Sequence, residues 1–348
     1  MRIGIHVAWA KQEAAYMAGQ LADLANSLGH TVSILSTQPI SGPVYAGWDE
    51  HVLSHRTDFA SWAKRQKTVI WFDCEPEKVK QVQTLGGRNV LVMLWHRLSA
   101  HDLSTLGMFN GVVCPSRSSL SHLVEYNQNL PLLQVDWDTL TQFAYPQSIE
   151  GLTRVFVPLE AQTARKVGPL IMHALQIVAE CRQDIQFTIG QCQHWSRAAM
   201  QAVTEASRSL PKRFVVTKRT TWQSWLGLLD ETDWVFNPSI SENAMLTNVA
   251  AMYKRIPVSA FDMPPVDELI RNHVNGSLIS CDLADNFWWI PVAQPTPKKL
   301  VDSLVDVLGD PELAKRLTAI THSNRLHRRR VAFERFWEAE LEKTDRWA

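Results

Sequence analysis

An excess of charge of either sign is missing from this sequence. Lysine and arginine together number 35, as do aspartate and glutamate, so the formal net charge over 348 residues is zero. Without a global excess there is no general argument for binding nucleic acid or an anionic membrane, and only a local basic face remains open. Cysteine is sparse too: Cys74, Cys114, Cys181, Cys192 and Cys281 are odd in number, and no pair has metal-ligand spacing. That weighs against a disulfide framework or a cysteine-built metal site and predicts reduced, mostly buried thiols. No run approaches the ~20 apolar residues of a membrane span. The opening MRIGIHVAWA enters a strand pattern directly, without the apolar core of a secretory signal, so a cytoplasmic location is expected. No G-x-G-x-x-G follows that first strand, so the dinucleotide fingerprint is absent.

What is present is an ordinary globular composition, 45% hydrophobic and 20% charged, with 14 tryptophans expected mainly in cores and pocket walls. The length predicts about two domains of ~150 residues. RIGIHVAW reads as a strand, KQEAAYMAGQLADLANSLGH as a helical stretch capped by Gly29, and TVSILST as a strand, a β-α-β unit. KTVIWFD, NVLVMLW, GVVCPS and PLLQVDWD continue the series. Their ends deliver Asp73, His96, Ser116 and Asp136. QFAYPQSIEG reads as the linker, bracketed by Pro146 and Gly151. The alternation then restarts, and from Thr296 onward the pattern is helical. The expected architecture is α/β: two doubly wound, Rossmann-like domains over 1–148 and 152–325, with a tail helix over 326–348 packing on the first. Ligands of such sheets bind where strands end and helices begin.

One stretch gathers the chemistry: DWVFNPSISENAMLTNVAAMYKRIPVSAFDMPPVDELIRNHVNGSLIS, from Asp233 to Ser280. It reads strand, polar loop, helix, strand, short helix, turn. Glu242 precedes the first helix. Ser241 and Glu242 can cap that helix, or Glu242 can face a ligand. The amides of Ala244, Met245, Leu246 and Thr247 open the helix and suit an anion.

The stretch resembles the carboxy-terminal domain of GT-B-fold glycosyltransferases, in particular the large retaining family with an E-x7-E signature. That family reads strand, P-S, E-G-F-G-L, a second Glu, A-M, G-x-P-V, then E-L and a glycine turn. Asp233, Pro238, Ser239, Glu242, Leu246, Ala251, Met252, Pro257, Val258, Glu268, Leu269, Asn275 and Gly276 carry the likeness. Leu24, Leu28, Gly29, His30 and Val32 resemble the family's L-x-x-x-G-H-x-V entry, and GVVCPSRSSLSHL its late strand-Ser-helix element. Lys166 with Ala174 resembles the donor-binding lysine and its helix, and Phe333, Phe336 and Trp337 the returning tail helix. Three features depart: Ala250 stands where the second Glu belongs, VPLEAQTARK lacks the Gly-Arg pair before Lys166, and AWAKQE replaces a Gly-Gly turn.

The resemblance implies a retaining, metal-independent transfer of a sugar from a nucleotide-diphosphate donor to a hydroxyl acceptor, with no other cofactor. It implies Glu242 beside the donor sugar and His96 on the sugar or acceptor side. Lys166, with Arg165 as alternative, would meet the diphosphate. Asn243, Ala244, Met245, Leu246, Thr247 and Asn248 would line the donor, and Thr247 and Asn248 would stand in for the missing Glu. Asp73 and Asp136 are acceptor-side candidates. Two further readings fit the same residues. One is a phage-type DNA glycosyltransferase acting on hydroxymethylated bases, with the arginines of LHRRR meeting phosphate and Tyr45, Trp48 or Trp95 lining the cleft. The other is a degenerate scaffold that partners an active transferase.

Overall fold

The structure, a computed structural model, describes residues 1–10, 13–40, 42–94, 100–138, 152–159, 161–191, 196–218, 221–242, 244–285, 291–309 and 324–343. The chain divides into two compact units, Met1–Leu140 with His327–Ala348, and Thr141–Leu326.

The first unit holds strands β1 (Arg2–Val7), β2 (Thr31–Ser36), β3 (Thr68–Trp71), β4 (Arg88–Val92), β5 (Gly111–Cys114) and β6 (Leu132–Gln134). They form a parallel sheet in the order β2-β1-β3-β4-β5-β6. Between them lie α1 (Glu13–Ser27), α2 (Phe59–Ala63), α3 (Pro76–Thr84), α4 (Ala100–Thr105) and α5 (Arg117–Tyr126). Gly29, at φ +80°, closes α1 by letting the His30 amide return to the Ala25 carbonyl at 3.0 Å, as the sequence predicts. Trp62, Trp71 and Trp137 are fully buried, and each indole N–H finds an acceptor: Ser33 Oγ, Asn89 Oδ1 and Gln20 Oε1 respectively.

The second unit holds β7 (Thr153–Leu159), α6 (Ala161–Cys181), β8 (Ile185–Gln191), α7 (Arg197–Ser209), β9 (Phe214–Lys218), α8 (Trp222–Leu228), β10 (Trp234–Asn237), α9 (Leu246–Tyr253), β11 (Val258–Phe261), α10 (Val266–Leu269) and β12 (Ser277–Ile279). Its parallel sheet runs β12-β11-β10-β7-β8-β9. The hairpin of β13 (Asp282–Asp285) and β14 (Pro291–Gln294) and helix α11 (Pro297–Gly309) complete it. Asp233 binds the backbone N–H and guanidinium of Arg154 at 2.8–3.1 Å, which ties the start of β10 to β7.

Helix α12 (Asn324–Glu342) returns to the first unit. Phe333 and Trp337 are fully buried against Trp137, with ring centroids 5.1 and 5.8 Å away. Of the three tail arginines Arg328 is exposed, whereas the other two are turned inward. Arg329 donates to the Trp137 carbonyl at 3.0 and 2.6 Å, and Arg329 and Arg330 both point toward the fully buried carboxylate of Asp138. Burying Asp138 requires a cation nearby, and these two residues supply it. The thiols also differ from expectation. Of the four cysteines described, only Cys114 is buried, whereas Cys74 and Cys281 are partly exposed and Cys181 is exposed. Cys192 and the linker lie outside the described residues. Among the described residues no helix is long and apolar enough to cross a membrane.

Candidate functional site

The order of the second sheet locates its crevice. The chain leaves β7 toward β8 and β9 but leaves β10 toward β11 and β12, although β7 and β10 are neighbours. Crossovers that diverge from adjacent strands open a gap at the strands' carboxyl ends, where ligands of open parallel sheets bind. Beyond β7 comes α6, which carries Arg165 and Lys166. Beyond β10 comes the loop with Glu242.

At that corner Asn237, the last residue of β10, is nearly fully buried. Its Nδ2 donates to Glu242 Oε1 at 2.9 Å and to Asn248 Oδ1 at 2.8 Å, while its Oδ1 accepts the Ser239 N–H at 3.1 Å. Ser239 Oγ donates to the Ser241 carbonyl at 2.9 Å, which folds the loop back on itself. Helix α9 starts at Leu246, so the capping reading of Ser241 and Glu242 does not hold. The cap is Met245, in the left-handed region at φ 55° and without a side-chain cap bond. In the pattern E-G-F-G-L this position is a glycine, and methionine here adopts the backbone that glycine would allow. Ala244 and Met245 therefore precede the helix, and the first-turn amides are those of Leu246, Thr247 and Asn248. Such amides have no intrahelical acceptor and carry the positive end of the helix dipole.

Two other elements brace this turn. Trp225 of α8 donates from Nε1 to Thr247 Oγ1 at 3.3 Å, with its ring edge-to-face on Phe156 of β7 at 4.9 Å. Lys254, just past α9, is buried and paired with Asp230. Ala250 is fully buried inside α9.

The remaining candidates fall as follows. Lys166 is the sixth residue of α6, which begins earlier than the sequence pattern indicates, so Lys166 lies in the second turn. The side chains of Lys166 and Arg165 are outside the description, and His96, Asn243 and Trp95 lie outside the described residues altogether. Asp73 is at the corresponding divergence in the first sheet, past β3 and beside β1. There its Oδ2 accepts the Ala8 N–H at 3.1 Å and Thr37 Oγ1 at 3.5 Å. Asp136 accepts from Gln134 at 2.7 Å and lies 3.8 Å from Arg329 of the tail helix. Ser116 caps α5 by accepting the Ser119 N–H at 3.1 Å. Tyr45 and Trp48 both donate to Asp23, at 2.8 and 2.7 Å, and burial together with Asp23 pushes the Tyr45 hydroxyl well above its ordinary range. Among the described residues no group of three or more His, Cys, Asp and Glu is placed to hold a metal ion. Sequence reasoning passed over Asn237. The signal available was an amide ending an otherwise apolar buried strand, WVFN.

No family model matches the chain, and no curated protein matches it by sequence. Solved structures do match it along nearly its full length. Sucrose-phosphate synthase from Thermosynechococcus elongatus superposes with a TM-score of 0.74 at 12% identity, over 98% of both chains. The chain has the GT-B fold. HepE from Anabaena, solved with UDP-glucose, gives 0.72 at 12% identity over 98% of this chain and 99% of its own. The pneumococcal O-GlcNAc transferase GtfA, solved with UDP and GlcNAc, gives 0.72 at 10% identity over 99% of both. At these identities the likeness is one of fold.

Proposed function

We propose that this GT-B protein is a glycosyltransferase that moves a sugar from a nucleotide-diphosphate donor to a hydroxyl acceptor, with retention and without a metal ion. The observation that carries the reading is the carboxylate of Glu242, held by Asn237 at the strand-to-helix corner where the second sheet diverges. A leaving diphosphate needs positive charge placed in advance. The first-turn amides of α9, with Lys166 or Arg165 of α6, supply it in this reading, while Glu242 meets the donor sugar. His96 and Asp73 belong to the sugar and acceptor side. Uridine diphosphate sugars are the first donors to try, because HepE and GtfA were solved with UDP-glucose and UDP. The DNA-acceptor reading rests on the divergent donor site and the basic tail; two of the three tail arginines are turned toward Asp138 and Arg328 is exposed, so the acceptor class is kept general.

The test combines binding and turnover. A nucleoside diphosphate at a hundredfold excess over its Kd stabilises the chain by about 2.7 kcal/mol if the donor site is intact. Glu242→Ala and Lys166→Ala are expected to keep the melting temperature and to lower sugar transfer, or donor hydrolysis, on the order of 10²-fold each. Unchanged turnover in both variants overturns the assignment, and no thermal shift with any nucleotide supports the scaffold reading instead.

A further inference from the structure

The hydrogen bonds around Asn237 define its orientation. Its side-chain oxygen accepts from the Ser239 amide, and its nitrogen faces two oxygens, Glu242 Oε1 at 2.9 Å and Asn248 Oδ1 at 2.8 Å. A flipped amide would set oxygen against a carboxylate and nitrogen against an N–H, so only one orientation is consistent. Both amide hydrogens of Asn237 are thereby used, one on the carboxylate and one on Asn248.

Asn248 is harder to account for as a packing residue. It is fully buried, at the third position of α9, and its Nδ2 has no hydrogen-bond partner among the described residues. An unsatisfied buried donor destabilises a protein, and a leucine of similar size would avoid that cost. What Asn248 provides is the acceptor that takes the second hydrogen of Asn237. Without it the Asn237 amide has one less restraint, and Glu242 loses the fixed direction of its donor. A neutral N–H on a carboxylate also favours the ionised form.

Building on the nucleotide-sugar reading above, we propose that Asn237 and Asn248 are positioning residues. In this relay Asn248 orients Asn237, and Asn237 holds the Glu242 carboxylate in place for the donor sugar. The relay acts on the sugar half of the donor and leaves the nucleotide half alone. It is specific to this chain's own residues, an amide ending β10 and an amide in the first turn of α9, and it operates where Ala250 offers no carboxylate.

The test uses the full chain and compares the affinity for UDP-, ADP- and GDP-glucose with that for the matching diphosphates, by calorimetry across pH. Asn248→Leu is the decisive variant, since it touches neither the loop nor Glu242 directly. It is expected to melt close to wild type, because it removes the unpartnered Asn248 Nδ2 while leaving one Asn237 hydrogen without its acceptor. Its affinity for the nucleotide sugar should fall about tenfold while that for the diphosphate changes less than about twofold. Asn237→Leu should show the same split and should move the acid limb of nucleotide-sugar binding to higher pH. A wild-type chain that binds no nucleotide overturns the donor reading and the relay with it. A wild-type chain that prefers the sugar nucleotide, with Asn248→Leu retaining that preference and its pH dependence, overturns the relay alone.

Discussion

His6 shows how one buried side chain sets a pH limit on the fold. It lies near the end of β1, fully buried among Phe59, Trp62 and Trp71, with Glu75 Oε1 at 3.6 Å and Lys78 Nζ at 3.4 Å from its Nε2. Burial, and then the Lys78 ammonium, push its pKa from 6.5 down to about 3. The unfolded chain takes up a proton on this residue below pH 6.5, whereas the folded chain does so only near 3. Stability is therefore fully present above 6.5 and is lost as pH falls through that window. Between pH 7 and 4.5 the loss from this group is about 2–3 kcal/mol. His6→Phe, which suits the aromatic surroundings, should remove that part of the acid sensitivity. Urea unfolding of both proteins at the two pH values measures it, and parallel losses in the two would refute the assignment. At this scale the sequence was informative unevenly. Glu242 stood out because its spacing from Pro238 and Ser239 matches a known pattern, and the structure places it at the corner after β10, bonded to Asn237. Asn237 was not, because its importance comes from a contact with Asn248 across the turn, which no local pattern encodes.

Between elements, the strand-to-helix corner after β10 depends on a glycine in a neighbouring strand. A Cβ at Gly190 of β8 would come within 2.5 Å of the Trp225 ring and 2.9 Å of Phe156. The absent side chain lets the indole lie across β8 and reach Thr247 in the first turn of α9. Gly190→Ala must displace that ring, at a cost of about 1–3 kcal/mol. Because Trp225 also braces α9, the variant should show a lower melting temperature and a reduced thermal shift with UDP, while the remote Gly107→Ala, with open space around it, should show neither. The order and type of most described elements was readable from period and turn residues. The start of α9 was not, because Met245 takes a left-handed backbone that its residue type does not advertise. The start of α6 also fell three residues earlier than the apolar pattern indicated.

For the whole molecule, the decisive contact in the first unit joins residues 252 positions apart. Arg88, at the start of β4, pairs with the Glu340 carboxylate and donates to the Glu340 carbonyl at 2.9 Å. Their side chains are only 11% and 2% exposed, so the pair has little water to fall back on. The returning tail helix was expected from Phe333, Phe336 and Trp337. This ion pair was not, since charge sequence alone cannot match partners so far apart. Removing one partner of a buried pair leaves a desolvated charge and costs about 3–5 kcal/mol, whereas replacing both by apolar groups is often neutral. Glu340→Leu should therefore destabilise the first unit strongly, and Arg88→Leu combined with Glu340→Leu should recover most of the loss. Urea unfolding of the four proteins in the cycle gives the coupling directly. A double variant as unstable as Glu340→Leu alone would mean that the tail helix is held by Phe333, Trp337 and the Arg329 contacts, with the ion pair contributing only packing.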